Sequence, residues 1–185
     1  MNDAIEELLT HARLTAPGLR RSRVIGVDGP SGAGKTTFAD SLAEILLVLT
    51  GTRPQIVHMD DLYPGWNGLV DAVDLVATRV LEPLSRGEDG RFERWDWLAG
   101  ERAETVHVPV ADWMVLEGVG SGSRRCRRHL AALAWLEADP AIRLARGIDR
   151  DGEAFRPHWE RWAVQEGRLF TAENTRGHAT TIIRT

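Results

Sequence analysis

The sequence predicts an α/β domain, a parallel sheet of five strands flanked by helices, with a small inserted hairpin and a helical lid. Three observations carry that expectation. Five short apolar runs are near-continuous rather than alternating, as strands buried on both faces of a parallel sheet are. Helical patterns separate them, so strand and helix alternate along the chain. The first run leads straight into a glycine-rich turn followed by an apolar stripe at helical spacing.

The five runs cover 24–28, 56–60, 113–117, 133–137 and 180–184, and four of them end in a carboxylate: Asp28, Asp60, Glu117 and Glu137. In an open parallel sheet the carboxyl ends of the strands face the ligand crevice, so some of these acids are expected at a site. An extra helix is expected over 2–15, with Asp3 and Glu6 at capping-box spacing ahead of Leu8 and Leu9. Leu42, Ile45, Leu46 and Leu49 give the stripe of the helix after the glycine-rich turn. Leu69, Val73, Val76, Val80 and Leu84, spaced by three or four, give a second. The segment 91–110 alternates around a glycine-bearing middle and reads as a hairpin. Asp139 as N-cap with Pro140 at the first helical position starts a helix that runs to about Arg150. Phe155, Trp159, Trp162 and Glu166 share one face of a last helix, read as core or lid packing. No repeat or long linker divides the chain, so an N-terminal helical extension over 1–22 is expected ahead of one domain over 23–185.

A chain of 185 residues, 43% hydrophobic and 27% charged, suits a folded domain rather than a disordered tail. Its longest unbroken aliphatic run, 45–49, is too short to cross a bilayer, and the acidic start does not read as a signal peptide. A soluble, cytoplasmic protein without a membrane partner is expected. A net charge of -4 argues against generic nucleic-acid binding, which needs an excess of cations facing phosphates. The one cysteine, Cys126, excludes an internal disulfide framework and a cysteine-based zinc site. The six histidines show no metal-ligand spacing. Lysine and arginine together number 23, yet only Lys35 is a lysine.

That lysine lies in Gly29-Pro30-Ser31-Gly32-Ala33-Gly34-Lys35-Thr36, which satisfies G-x-x-x-x-G-K-[ST], the phosphate-binding P-loop, in the strand–turn–helix setting the motif requires. At this composition a lone lysine would have those neighbours by chance in about one case in a thousand. The loop lets backbone N–H groups turn inward around phosphate oxygens while the next helix presents its positive end to the same anion. Gly29, Ser31, Gly32, Ala33, Gly34, Lys35, Thr36 and Thr37 are the expected nucleotide-binding residues. Lys35 would reach between the β- and γ-phosphates, and the Thr36 hydroxyl would hold Mg²⁺. Arginine, with its wider planar fork, is a poor substitute there. A GTPase would need a guanine-reading N/T-K-x-D stretch and hence a second lysine, which the chain lacks.

Several blocks in order, GVDGPSGAGKTTFA, HMDDLYPGW, RWDWLAGERAETVHV, WMVLEGVGSGS and ADPAIRLARGIDRDG, resemble the uridine kinase and phosphoribulokinase group of P-loop small-molecule kinases. The resemblance covers about residues 23–184. It implies a P-loop NTPase fold, with ATP and Mg²⁺ as cofactors and transfer of the γ-phosphoryl group to a hydroxyl of a nucleoside-, sugar- or vitamin-precursor-like acceptor. By the same resemblance Asp60, with Asp61 beside it as the alternative, takes the hydroxyl proton, and Tyr63 touches the acceptor. Glu117 serves the metal with Thr36, and Asp28 hydrogen-bonds the loop or joins the site. Trp95, Asp96 and Trp97, with Arg102, wall the acceptor pocket. Arg146 and Arg150, which share a helix side with Arg143, close over the phosphates. The stretch Asn174-Thr175-Arg176 would lie at the adenine.

The chain departs from the family pattern in its acceptor block. Tryptophans stand where tyrosine and phenylalanine are usual, and Gly100 stands where nucleoside kinases of this group carry a base-reading histidine, which points away from a pyrimidine nucleoside. An ATP-binding regulatory module of the same fold without transfer is the alternative from another class, and a kinase acting on a macromolecule is a third. Arg124, Arg125, Arg127 and Arg128 around Cys126 read first as a solvated charge run and second as a site for an acidic acceptor or a lowered thiol pKa. The acceptor's identity and the oligomeric state are not legible in the residues.

Overall fold

In a computed structural model that describes residues 2–15, 22–153 and 156–185, the chain forms the α/β architecture expected. Five strands, β1 (Arg23–Asp28), β2 (Gln55–His58), β5 (Trp113–Glu117), β6 (Leu130–Glu137) and β7 (Thr181–Arg184), make one sheet in the order β2-β5-β1-β6-β7. Every pairing in it is parallel, with Val27 opposite Glu117 and Asp28 opposite Trp135. Because all strands point the same way, their carboxyl ends collect along one edge, with β1 in the middle.

The strands read as unbroken apolar runs because both faces are covered. Along β5, Met114 and Leu116 enter one core cluster and Val115 the other. On the first face pack α3 (Leu69–Val76), α5 (Arg124–Arg127) and α7 (Arg156–Glu173), together with the hairpin of β3 (Gly90–Asp96) and β4 (Glu101–Val108). On the second lie α1 (Asn2–Leu14) and α2 (Lys35–Thr50). The final helix before the hairpin, α4 (Glu82–Arg86), continues α3 through a wider π turn at Ala77–Leu81. Pro83 has no N–H to return to a carbonyl one turn back, and the widened turn just before it absorbs the mismatch while Val80, Leu81 and Leu84 stay buried.

Several expectations are corrected. The second strand stops at His58, and Asp60 lies in a 3₁₀ turn, Met59–Asp61, because the amides of Leu62 and Tyr63 both return to the Met59 carbonyl. Strand β6 begins at Leu130 rather than 133, and β7 begins at Thr181. Leu49, placed on the α2 stripe, is exposed, since the helix end runs past the sheet. Helix α1 starts at Asn2, so Asp3 sits in its first turn rather than capping it. Helix α6 (Pro140–Asp151) starts as expected, with the Asp139 carboxylate accepting from the Ala141 amide at 2.8 Å. Phe155 lies outside the described residues, as do residues 16–21 beside the expected boundary at 22. Among the described residues no helix is long and apolar enough to cross a membrane.

Candidate functional site

The loop between β1 and α2 is shaped by what surrounds it. A Cβ on Gly29 would stand 2.0 Å from the Leu136 carbonyl oxygen, and one on Gly32 would stand 2.5 Å from that of Arg143, at φ values of +138° and +77°. Only glycine lets the chain pass so close to β6 and α6. Helix α2 has no side-chain cap at Gly34, so its first N–H groups are left for an anion. The carbonyl side of the loop is held by guanidinium groups: Arg143 Nη1 donates to Ser31 O at 3.2 Å and Arg146 Nη1 to Gly32 O at 3.1 Å. Lys35 is buried and its Nζ lies back across the loop, 3.1 Å from the Pro30 carbonyl. Thr36 and Thr37 are exposed on the first turn of the helix.

Asp28 is fully buried beneath this loop and accepts from the amides of Gly29, Gly120 and Gly122 at 2.7, 3.0 and 2.7 Å. Burial pushes its carboxyl up to about 6, against the pull of those amides and of Lys35. Its place is structural: it ties the phosphate loop to the turn after β5. Glu117, at the end of β5, is buried, and its Oε2 accepts from His58 Nδ1 at 2.8 Å. That hydrogen bond raises the imidazole pKa from its ordinary value.

Beside the loop opens a cleft of about 340 Å³. Ser31 of the loop and Asp60 share it with Arg150 and Asp151 from the end of α6. Tyr63, Trp66, Trp97, Trp159 and Trp162 make its walls. The Asp60 side chain reaches solvent through the cleft, yet the protein around its carboxylate desolvates it; this and the charge of Glu117 raise its pKa, with Lys35, Arg150 and His58 opposing. Arg150 makes a bidentate pair with Asp151, both contacts at 2.7 Å.

The structure brings Ser31, Asp60, Tyr63, Trp97 and Arg150 of the expected residues to this cleft and leaves Trp95, Asp96 and Arg102 outside its lining. Tyr63 offers a ring, since its hydroxyl donates to the Val119 carbonyl at 2.9 Å. Asp96 caps the hairpin turn, accepting from the amides of Leu98 and Ala99, while Arg102 lies over the Trp95 ring and lines a separate surface hollow. Gly100 is a left-handed turn residue at φ +71°. Arg176 of the expected adenine stretch is paired with Glu137, as is Arg184, and Arg176 with its neighbours draws that carboxyl down to about 2. The arginine cluster is tied to local acids, Arg124 to Glu173, Arg125 to Asp74 and Arg128 to Glu82. Cys126 is buried and its thiol is pushed up to about 12, the opposite of an activated cysteine.

Sequence reasoning missed Trp66 altogether and gave Trp159 and Trp162 only a packing role. The available signal was composition, since seven tryptophans against one tyrosine is an unusual balance and four of the seven line this cleft. It also missed that Glu166, 3% exposed, accepts from both Ser31 N and Ser31 Oγ, at 2.8 and 2.5 Å.

No protein-family model matches the chain. Among curated proteins it is 28% identical over 148 residues to a uridine kinase of Limosilactobacillus reuteri, a match covering 71% of this chain and 66% of that protein. It is 31% identical over 133 residues to a cytidylate kinase of Pseudomonas aeruginosa, covering 70% and 55%. The chain thus spans about two-thirds and about half of the lengths of these relatives. Among solved structures, one described as a possible uridine kinase from Bacillus stearothermophilus superposes with a TM-score of 0.67 at 21% identity, over 98% of each chain. A protein assigned as a fructose transport system kinase from Silicibacter sp. TM1040 also gives 0.67, at 18% identity over 97% of this chain and 96% of that one. In its phosphate loop, its fold and its sequence likeness, the chain is similar to the uridine kinase-like group of P-loop kinases.

Proposed function

We propose that the protein is a Mg²⁺-ATP-dependent kinase that phosphorylates a hydroxyl of a small molecule. One observation carries this reading: Ser31 of the phosphate loop and the carboxylate of Asp60 line the same cleft, so a triphosphate end on the loop and an alcohol in the cleft would meet. In the reaction the bond from Pγ to the β-phosphate oxygen breaks and a bond from Pγ to the acceptor oxygen forms. The hydroxyl proton passes to Asp60, and ADP leaves with a phosphate monoester as the other product. The transition state is loose, so Asp60 mainly orients the hydroxyl and takes its proton late. A carboxylate whose pKa is already raised is better matched to that work near neutrality.

Lys35 and the loop amides would hold the phosphates, with Arg150 reaching them from the cleft and Arg146 acting through the loop carbonyl it grips. Thr36 and Glu117 would hold Mg²⁺, which neutralises phosphate charge when bound. The donors fit the ion: a hydroxyl and a carboxylate are hard oxygen ligands, His58 takes only Oε2 of Glu117, and Mg²⁺ keeps waters and phosphate oxygens for its other positions. Trp97, rather than Trp95, would give the hairpin's wall to the acceptor.

The test is incubation with Mg²⁺-ATP and pooled nucleosides, sugars and vitamin precursors, with ADP and phosphorylated products detected by mass. Asp60→Asn is expected to lower turnover about 10²- to 10⁴-fold while ATP binding persists. Lys35→Arg should abolish turnover with an unchanged circular dichroism spectrum. ATP binding with no product from any pool, and ADP release insensitive to Asp60→Asn, would overturn the kinase reading.

A further inference from the structure

We propose that the tryptophan-walled cleft is built for an onium group, so that the molecule it takes is a compact alcohol carrying a permanently charged, alkylated nitrogen. Calling that molecule the phosphate acceptor rests on the kinase reading above. The binding preference stands on the cleft itself.

The rings of the cleft meet at steep angles. Trp66 meets Trp97 at 5.1 Å between centroids and 59°, and meets Trp162 at 6.2 Å and 85°. Tyr63 meets Trp162 at 4.7 Å and 66°. A flat heterocycle is held best in a slot between two nearly parallel faces. Walls that join at steep angles instead form the corner of a box, which suits a rounded group touched from several sides. The near-parallel pair here, Trp66 and His158 at 4.9 Å and 21°, is stacked on itself and leaves no slot between its members.

The charge in the cleft also favours a cation. Arg150 and Asp151 pair with each other through Nε and Nη2 of the guanidinium and both carboxylate oxygens, so their charges nearly cancel. Among the described residues Asp60 makes no ion pair, and the more distant Lys35, Arg150 and His58 act on it against Glu117. The cleft therefore combines a carboxylate with the electron-rich faces of indoles, the two features that attract a cation whose hydration is weak.

Several of the donors that could read a base edge are already engaged. Trp97 Nε1 donates to the Asp60 carbonyl at 3.0 Å, and Trp162 Nε1 to Glu166 at 2.8 Å. Both Ser31 donors are engaged by the same Glu166. A nucleobase placed there would find these donors already engaged, whereas an alkylated ammonium has no donor or acceptor of its own to satisfy. The hydroxyl end of the same molecule would face Asp60 and the phosphate loop.

The experiment is a titration of tryptophan fluorescence with three probes: choline, its neutral isostere 3,3-dimethylbutan-1-ol, and uridine. Choline is expected to bind roughly five-fold or more tightly than the isostere, the order of a cation–π contribution, and more tightly than uridine. Trp97→Leu, at a residue 39% exposed on the hairpin and so safe for folding, should remove that preference while Trp97→Phe keeps part of it. Equal or tighter binding of the isostere or of uridine overturns the proposal, as does no response to choline up to its solubility limit, or a Trp97→Leu loss that is the same for choline and isostere. ADP release is followed separately. Selective choline binding without phosphoryl transfer to any alcohol would sink the kinase reading and leave the onium box standing.

Discussion

Glu166 shows how one residue can serve the phosphate loop and the cleft wall together. Its Oε1 accepts from Ser31 N, Ser31 Oγ and Trp162 Nε1, and its side chain is almost wholly buried. Hydrogen bonds to a carboxylate are shorter and stronger than neutral ones, and three on one oxygen fix the start of the phosphate loop to α7, the helix that also carries Trp159. Glu166→Ala leaves three donors facing protein, and a loss of about 1–3 kcal/mol in urea unfolding is expected with an unchanged m value. Glu166→Gln keeps an acceptor oxygen and should lose less. Stability of the alanine variant within error of the parent would show that water replaces the carboxylate. Periodicity placed Glu166 on the correct face of its helix. It could not show that Ser31, 135 residues earlier in the chain, lies against it.

At the scale of elements, what was legible followed from local rules. The five parallel strands, the Asp139-Pro140 helix start and the hairpin each depend on neighbouring residues, and each formed within a few positions of its expected bounds. What misled was the extrapolation of a local period past its end. The α2 stripe carries on to Leu49, which is exposed where the helix runs past the sheet. The resemblance puts Trp95 and Trp97 in one wall, whereas β3 stops at Asp96 and the turn carries only the Trp97 indole over Asp60. The strand-end acids divided for a similar reason. Asp60 and Glu117 sit where strands meet the site, whereas Glu137 is claimed by Arg176 and Arg184 from the β7 edge. The β2–β5 edge also carries a pH response. Glu117 hydrogen-bonds His58, and with Asp61 and Asp60 it raises the imidazole pKa above 6.5. A pKa raised by folding stabilises the fold fully below the unfolded value and is lost as pH rises through the folded one. Thermal midpoints of the parent should therefore fall between about pH 6 and about pH 9 by more than those of His58→Gln. Parallel curves for the two proteins would show that the pair is not coupled to folding.

Across the whole molecule the sheet separates two cores with different duties. The cluster that includes Tyr63 and Trp162 runs up to the cleft, so its packing and the site's geometry are one problem. The other holds Ile5, Leu8, Leu9 and Ala12 of α1 with Phe38 and Leu42 of α2 against Ile25, Val27 and Leu136, and none of these residues lines the cleft. The N-terminal helix is thus part of the sheet's covering layer, lying over β6 and β7 while α2 lies over β1 and β5. Leu8 is 0% exposed in that layer. Leu8→Ala removes apolar contacts and leaves a cavity, so a loss of about 2–5 kcal/mol is expected. If the two layers are independent, the loss falls on unfolding alone, and the affinity for choline below the unfolding transition stays at the parent value. A destabilisation under about 1 kcal/mol would mean that α1 covers the sheet only loosely. A weaker choline affinity in the folded variant would mean instead that the back layer sets the position of the loop and, through Ser31 and Glu166, of the tryptophan walls.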